Sequence, residues 1–86
     1  MFRITSLQIN STTLAILPEG SMSAAGSTEL REVVEQAIQR GFQVELNLSR
    51  LQYVDAVGLI VLRELLQDGV VVHSPSPFVS ELLKQT

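Results

Sequence analysis

The chain contains no cysteine, and aromatic residues make up only 5% of it. Disulfide bonds and thiolate metal sites are therefore excluded, and Leu, Val and Ile must carry the packing. The one histidine, His73, cannot build a zinc site without several carboxylate helpers. Basic charge is scarce as well: six Lys and Arg are scattered among nine Asp and Glu, for a net charge of -3. A phosphate-backbone binder needs clustered cations, so nucleic acid is not an expected partner. There is no long apolar run either. No run is longer than Leu59-Ile60-Val61-Leu62, far short of the roughly 20 residues that cross a bilayer, so no direct membrane insertion is expected. The opening Met1-Phe2-Arg3-Ile4-Thr5-Ser6 lacks the basic start and apolar stretch of a signal peptide and reads as a strand. With the absence of cysteine, this points to a soluble, cytoplasmic protein.

What is present is aliphatic and periodic. Hydrophobic residues make up 45% of 86 residues, which suits one α/β domain spanning 1–86. Phe2-Arg3-Ile4 alternates, but Leu7 and Ile9 fall in the opposite phase, which predicts a bulge or bend near Thr5 and Ser6 within one strand. Asn10-Ser11-Thr12 reads as a turn. A second strand over 13–17 should stop at Pro18, followed by a loop at Gly20-Ser21-Met22-Ser23, the two strands forming an antiparallel pair. From Ser27 or Thr28 the period becomes helical, with Leu30, Val33, Val34, Ala37 and Ile38 on one stripe. Ser27 is the expected cap, Glu29 and Arg40 suit the two ends of the helix dipole, and Gly41 suits the left-handed stop.

Val44, Leu46 and Leu48 alternate with Glu45, Asn47 and Ser49 as a strand, and Leu51, Tyr53 and Val54 lead on towards Asp55. A second helix is expected over 56–67, ending at Asp68-Gly69, then a short buried strand at Val70-Val71-Val72. Ser74-Pro75-Ser76-Pro77 punctuates the chain. Ser76 is the expected cap and Pro77 the first residue of a last helix that uses Val79, Leu82 and Leu83 as its apolar face. The order is ββαβαβα: a mixed sheet of about four strands with three helices, the 44–48 strand lying between its predecessor and its successor.

Two stretches in this frame, Val44-Glu45-Leu46-Asn47-Leu48-Ser49 and Val54-Asp55-Ala56-Val57-Gly58-Leu59, resemble the pattern of the STAS family. That pattern is an apolar strand ending D-L-S, a short apolar loop, and D-S-S-G-L. Pro18-Glu19-Gly20-Ser21-Met22-Ser23 stands where the family has G-E-L-D, and Ser76-Pro77-Phe78-Val79 resembles its last helix start. The resemblance implies a non-catalytic module that binds a partner protein, such as a kinase-like anti-sigma factor with an ATPase fold. In the family, the Ser after the Asp is phosphorylated to switch binding off. Here that position is Ala56, the next family Ser is Val57, the strand's usual Asp is Asn47, and Ser21 and Ser23 replace the loop's acidic pair. The resemblance therefore implies an anti-sigma-factor-antagonist-like regulator that is not phosphorylatable at the usual site. The alternative is a STAS accessory subunit of a larger assembly, such as a lipid-transport ABC complex, where the same helix docks on an ATPase subunit.

Asp55 is placed to cap the second helix by accepting from the amides of Val57 or Gly58. Gly58 in a first helical turn costs roughly 1 kcal/mol against Ala unless close packing offsets it. At 100° per residue, Leu59, Leu62, Leu65 and Leu66 group towards the core. Val57, Ile60 and Val61 then face the other way beside Glu64, either as a contact surface or under the last helix. The expected partner surface comprises Gly20, Ser21, Asp55, Ala56, Val57, Gly58, Ile60, Val61 and Glu64, and the same helix face could join two copies as a homodimer. His73 reads as a satisfied strand-edge residue, and Ser74 and Ser76 as turn and cap. No Ser, His and Asp set, paired carboxylates or phosphate-cradling glycine loop is apparent, so neither an enzyme nor a cofactor is expected.

Overall fold

A computed structural model describes residues 1–73 and 77–84, without the side chains of Phe78 and 82–84. Its elements are β1 (Phe2–Gln8), β2 (Thr13–Met22), α1 (Ala24–Gln39), β3 (Gln43–Asn47), β4 (Leu51–Val54), α2 (Ala56–Gln67), β5 (Val71–His73) and α3 (Pro77–Lys84). The cap expected at Ser76, the turn at Ser74 and the core roles of Leu82 and Leu83 lie outside the described residues.

Asn10 closes the first hairpin. Its Oδ1 accepts from the Thr12 amide at 2.8 Å, the Thr12 hydroxyl at 2.9 Å and the Thr13 amide at 2.9 Å, a side-chain turn of the kind Asn favours. β1 pairs antiparallel with β2 in one unbroken register from Phe2↔Gly20 to Gln8↔Leu14. The bulge expected near Thr5 and Ser6 is therefore not there. Phe2 and Ile4 pack against the core, whereas Leu7 and Ile9 stay open to solvent at 61% and 53% exposure. The change of apolar phase records a strand with apolar residues on both faces.

β2 does not stop at Pro18 but runs ten residues to Met22. Parallel partners cover β2 only at Thr13–Ile16, by β3, and at Gly20–Met22, by β4. Pro18 falls between the two stretches, where its missing N–H costs no ladder bond on that side. Among the described residues the sheet accordingly has five strands rather than about four, in the order β1-β2-β3-β5, with β4 also on β2. β3 and β4 follow one another along a single edge of β2 through a corner at Leu48, Ser49 and Arg50. From Ile16↔Leu46 to Gly20↔Leu51, β2 advances four residues and the facing chain five. The corner is held by Gly20 N–H to Arg50 O at 3.0 Å, Leu51 N–H to Leu48 O at 3.1 Å and Ser49 N–H to Asn47 Oδ1 at 3.0 Å.

β3 lies between β2 and β5 and parallel to both, as its alternation implies. β5 begins one residue later than expected and is only half covered, with Val71 49% exposed. α1 begins at Ala24, before the expected start, with Ser23 at the cap position. Ser27 is thus inside the helix and buried, its hydroxyl donating to Ser23 O at 2.8 Å. Ile38, expected in the core, is 46% exposed. Gly41 ends the turn after α1 with φ 90°, the left-handed conformation glycine accepts without strain.

The buried cluster joins Leu30, Val34 and Ala37 of α1 to Val61, Leu62 and Leu65 of α2, and to Ile16, Met22, Leu46, Leu51 and Val54 of the sheet. Each fully buried aliphatic side chain in it contributes roughly 1.5–3 kcal/mol.

Candidate functional site

The start of α2 is anchored from both directions. Asp55 is its N-cap, with Oδ1 accepting from the Gly58 amide at 2.8 Å, one of the two acceptance patterns the sequence allowed. The Asp55 amide donates to Met22 O at 3.2 Å, which ties the helix entry to the end of β2. Gly58 explains its own presence: a Cβ there would lie 2.3 Å from Val54 Cγ2, 3.1 Å from Ser27 Oγ and 3.2 Å from Met22 Cε. Two strands and α1 converge on this one position, so Gly58 is buried and is a packing residue, with no surface of its own to offer a partner.

That close approach also fixes how α2 is rotated. Its buried residues are Gly58, Val61, Leu62 and Leu65, an i, i+3, i+4, i+7 stripe centred on the missing side chain. Val61, expected on the outer face, is only 7% exposed and belongs to the core. Leu66, expected inside, is 39% exposed, and Leu59 is only half-buried. The rest of the outer face stands as expected. Ala56 is exposed, Val57 is 48% and Ile60 55% exposed, and Glu64 pairs with Arg31 of α1 at the rim. α3 packs against β4 and α2, yet it leaves Val57 and Ile60 uncovered.

Gly20 does not join this face. It is a half-buried β2 residue with φ +93°, where a Cβ would meet Met1 O at 2.0 Å. It serves the close pairing of β1 with β2 rather than a binding loop. Ser21 is exposed beyond it, opposite Tyr53 in register, and its amide donates to Met1 O at 3.3 Å. His73 sits at the edge of the sheet with Nε2 3.1 Å from Glu45 Oε1.

One cluster escaped the sequence reading. Glu19 accepts from Arg3 Nε at 2.9 Å and Nη2 at 2.7 Å, and from Arg50 Nη1 at 3.2 Å. The hydrogen bond from Arg3, with the positive charge of both arginines, holds the Glu19 carboxyl below its usual 4.5, against a smaller opposing effect of burial. Hairpin register offered the signal for Arg3 and Glu19, which pair across β1 and β2. Arg50 reaches them only because of the corner between β3 and β4. Among the described residues, no three of His, Asp and Glu gather as a metal site would require.

Five strands in this order with helices entering from the ends of β2 and β4 match known structures. The anti-sigma factor antagonist SpoIIAA in its unphosphorylated form superposes with a TM-score of 0.74 at 20% identity, covering 95% of this chain and 78% of that one. The fold is that of the STAS domain. The phosphorylated form of SpoIIAA, a Bacillus cell fate determinant, superposes with a TM-score of 0.69, again at 20% identity, covering 95% of this chain and 81% of that one. No family profile matches the sequence, and no curated protein resembles it closely enough to count as a relative. The STAS likeness thus rests on architecture alone.

Proposed function

We propose that this chain is a non-catalytic, cytoplasmic STAS-type regulator whose α2 outer face binds a partner protein. The observation that carries the reading is the pair Val57 and Ile60, branched apolar residues left about half exposed on a helix whose opposite stripe is fully committed to the core. An exposed apolar pair beside a polar rim, here Glu64 and Arg31, suits a protein interface. The partner is a kinase-like protein of ATPase fold, as for an anti-sigma factor antagonist.

SpoIIAA exists in phosphorylated and unphosphorylated forms. The family's sequence pattern has its phosphorylated Ser after the Asp, where this chain has Ala56 with no hydroxyl to modify, so on this reading binding at the face is constitutive or is controlled by another protein. The same observation favours a second reading, an accessory subunit docked permanently on an ATPase within a larger assembly.

Affinity capture with the wild-type chain and with Ile60→Asp tests the surface, because the substitution should abolish capture while leaving thermal unfolding nearly unchanged. A large stability loss would instead place Ile60 in the core and end the proposal. Ala56→Glu separates the two readings. Release by the added charge means the partner still reads this position as a switch, and retention means a fixed subunit contact.

A further inference from the structure

Away from α2, the cluster of Arg3, Glu19 and Arg50 borders a depression of about 540 Å³ that is also lined by Met1, Gly20, Ser49 and Gln52. The charges are arranged by depth. The Glu19 side chain is 18% exposed, while those of Arg3 and Arg50 are 72% and 70% exposed. The carboxylate thus lies beneath, and two guanidinium groups face the solvent above it. One carboxylate neutralises one arginine and leaves the cluster with a surplus positive charge, in a chain whose net charge is -3.

The bonds to Glu19 use Arg3 Nε and Nη2 and Arg50 Nη1. Arg3 Nη1 and Arg50 Nε and Nη2 remain for another acceptor. The other arginines are placed differently: Arg31 is paired with Glu64, Arg40 lies over the Phe42 ring, and Arg63 is half-buried on α2. The backbone that carries Arg50 is also fixed in advance, since its carbonyl accepts from Gly20 and the corner around it is bonded on both sides.

We propose that this depression binds a small phosphate monoester, with Arg3 and Arg50 holding the phosphoryl oxygens and Ser49 and Gln52 lining the space for the organic part. A phosphate dianion offers three terminal oxygens and can engage the Arg50 fork through Nε and Nη2 and Arg3 through Nη1 at once, and an arginine fork suits that geometry. A carboxylate satisfies one fork, and Glu19 already supplies it. The volume exceeds what a bare anion needs and falls within the range of small-molecule sites. The site is open and its surplus charge is single, so the expected affinity is weak, on the order of millimolar. The proposal is independent of the partner surface on α2.

Titration of the isotope-labelled chain with glycerol phosphate, followed by amide NMR, tests it, with acetate at matched ionic strength as the control. Saturable shifts are expected at Gly20, Ser49, Arg50 and Gln52, absent with acetate. In Arg50→Gln the affinity should fall about tenfold, the effect of one charge-assisted contact, while Arg40→Gln should bind as the wild type does. A parallel sedimentation arm uses phosphatidylcholine vesicles with and without phosphatidic acid. Arg50-dependent binding to the phosphatidic acid vesicles alone would place the monoester on a lipid, whereas shifts with glycerol phosphate alone would place it in solution. Absence of both, equal shifts with acetate, or shifts unchanged in Arg50→Gln would overturn the site.

Discussion

A methyl group at position 58 would meet Val54 Cγ2 at 2.3 Å, closer than side-chain carbons approach. Ala is intrinsically the better helix former by about 1 kcal/mol, but overpacking at a buried crossing costs about 1–3 kcal/mol. Gly58→Ala should therefore lower stability in urea unfolding despite the improved propensity. The residue's conformation is ordinary, so the requirement is for space. Asp55→Ala should cost about 1 kcal/mol by removing the cap on the Gly58 amide, and the same denaturation series measures it. Glu19 gives a pH dependence with a definite sign. Its folded pKa lies below the usual 4.5 because Arg3 and Arg50 favour the carboxylate. The stability it contributes is fully present above that usual value and is lost as pH falls through the lowered folded one. Glu19→Gln should remove this component, so the stability of the variant should fall less steeply on acidification.

At the scale of elements, α2 shows what a sequence can and cannot declare. Its span, its Asp55 cap and its end before Gly69 follow from residue types at fixed places, and all three stand in the structure. Its rotation does not follow, because leucines count as core residues in any periodicity argument whereas the helix is seated by a glycine. A side chain that is absent has no weight in such a count, which therefore puts Val61 outside and Leu66 inside. β4 was illegible for a related reason: four residues with two turned outwards show no alternation, and only their pairing with β2 makes them a strand. Pro18 stopped the expected strand because a missing partner cannot be read from one segment alone. The rotation makes neighbouring substitutions diverge. Val61→Asp should cost several kcal/mol by burying an unpaired charge, whereas Ile60→Asp should fall within about 0.5 kcal/mol of the wild type, and thermal melts of the two separate these outcomes.

For the molecule as a whole, the α/β class and the order of elements apart from β4 are legible, since they depend only on where the period changes from two to 3.6. Gly20 shows the limit, because chain position alone assigns it to a loop, and the structure makes it part of a strand interior. What remains of the expected surface is Ala56, Val57, Ile60 and Glu64 on one helix, with Asp55 behind them as its cap and Ser21 exposed on β2. The claim that this face meets another protein is tested most directly by quantitative capture from the native cell, comparing the wild-type chain with Ile60→Asp at equal folded concentration. The account predicts one predominant protein in stoichiometric amount on the wild type, absent from a variant with an unchanged melting temperature. Equal recovery on both chains would contradict it.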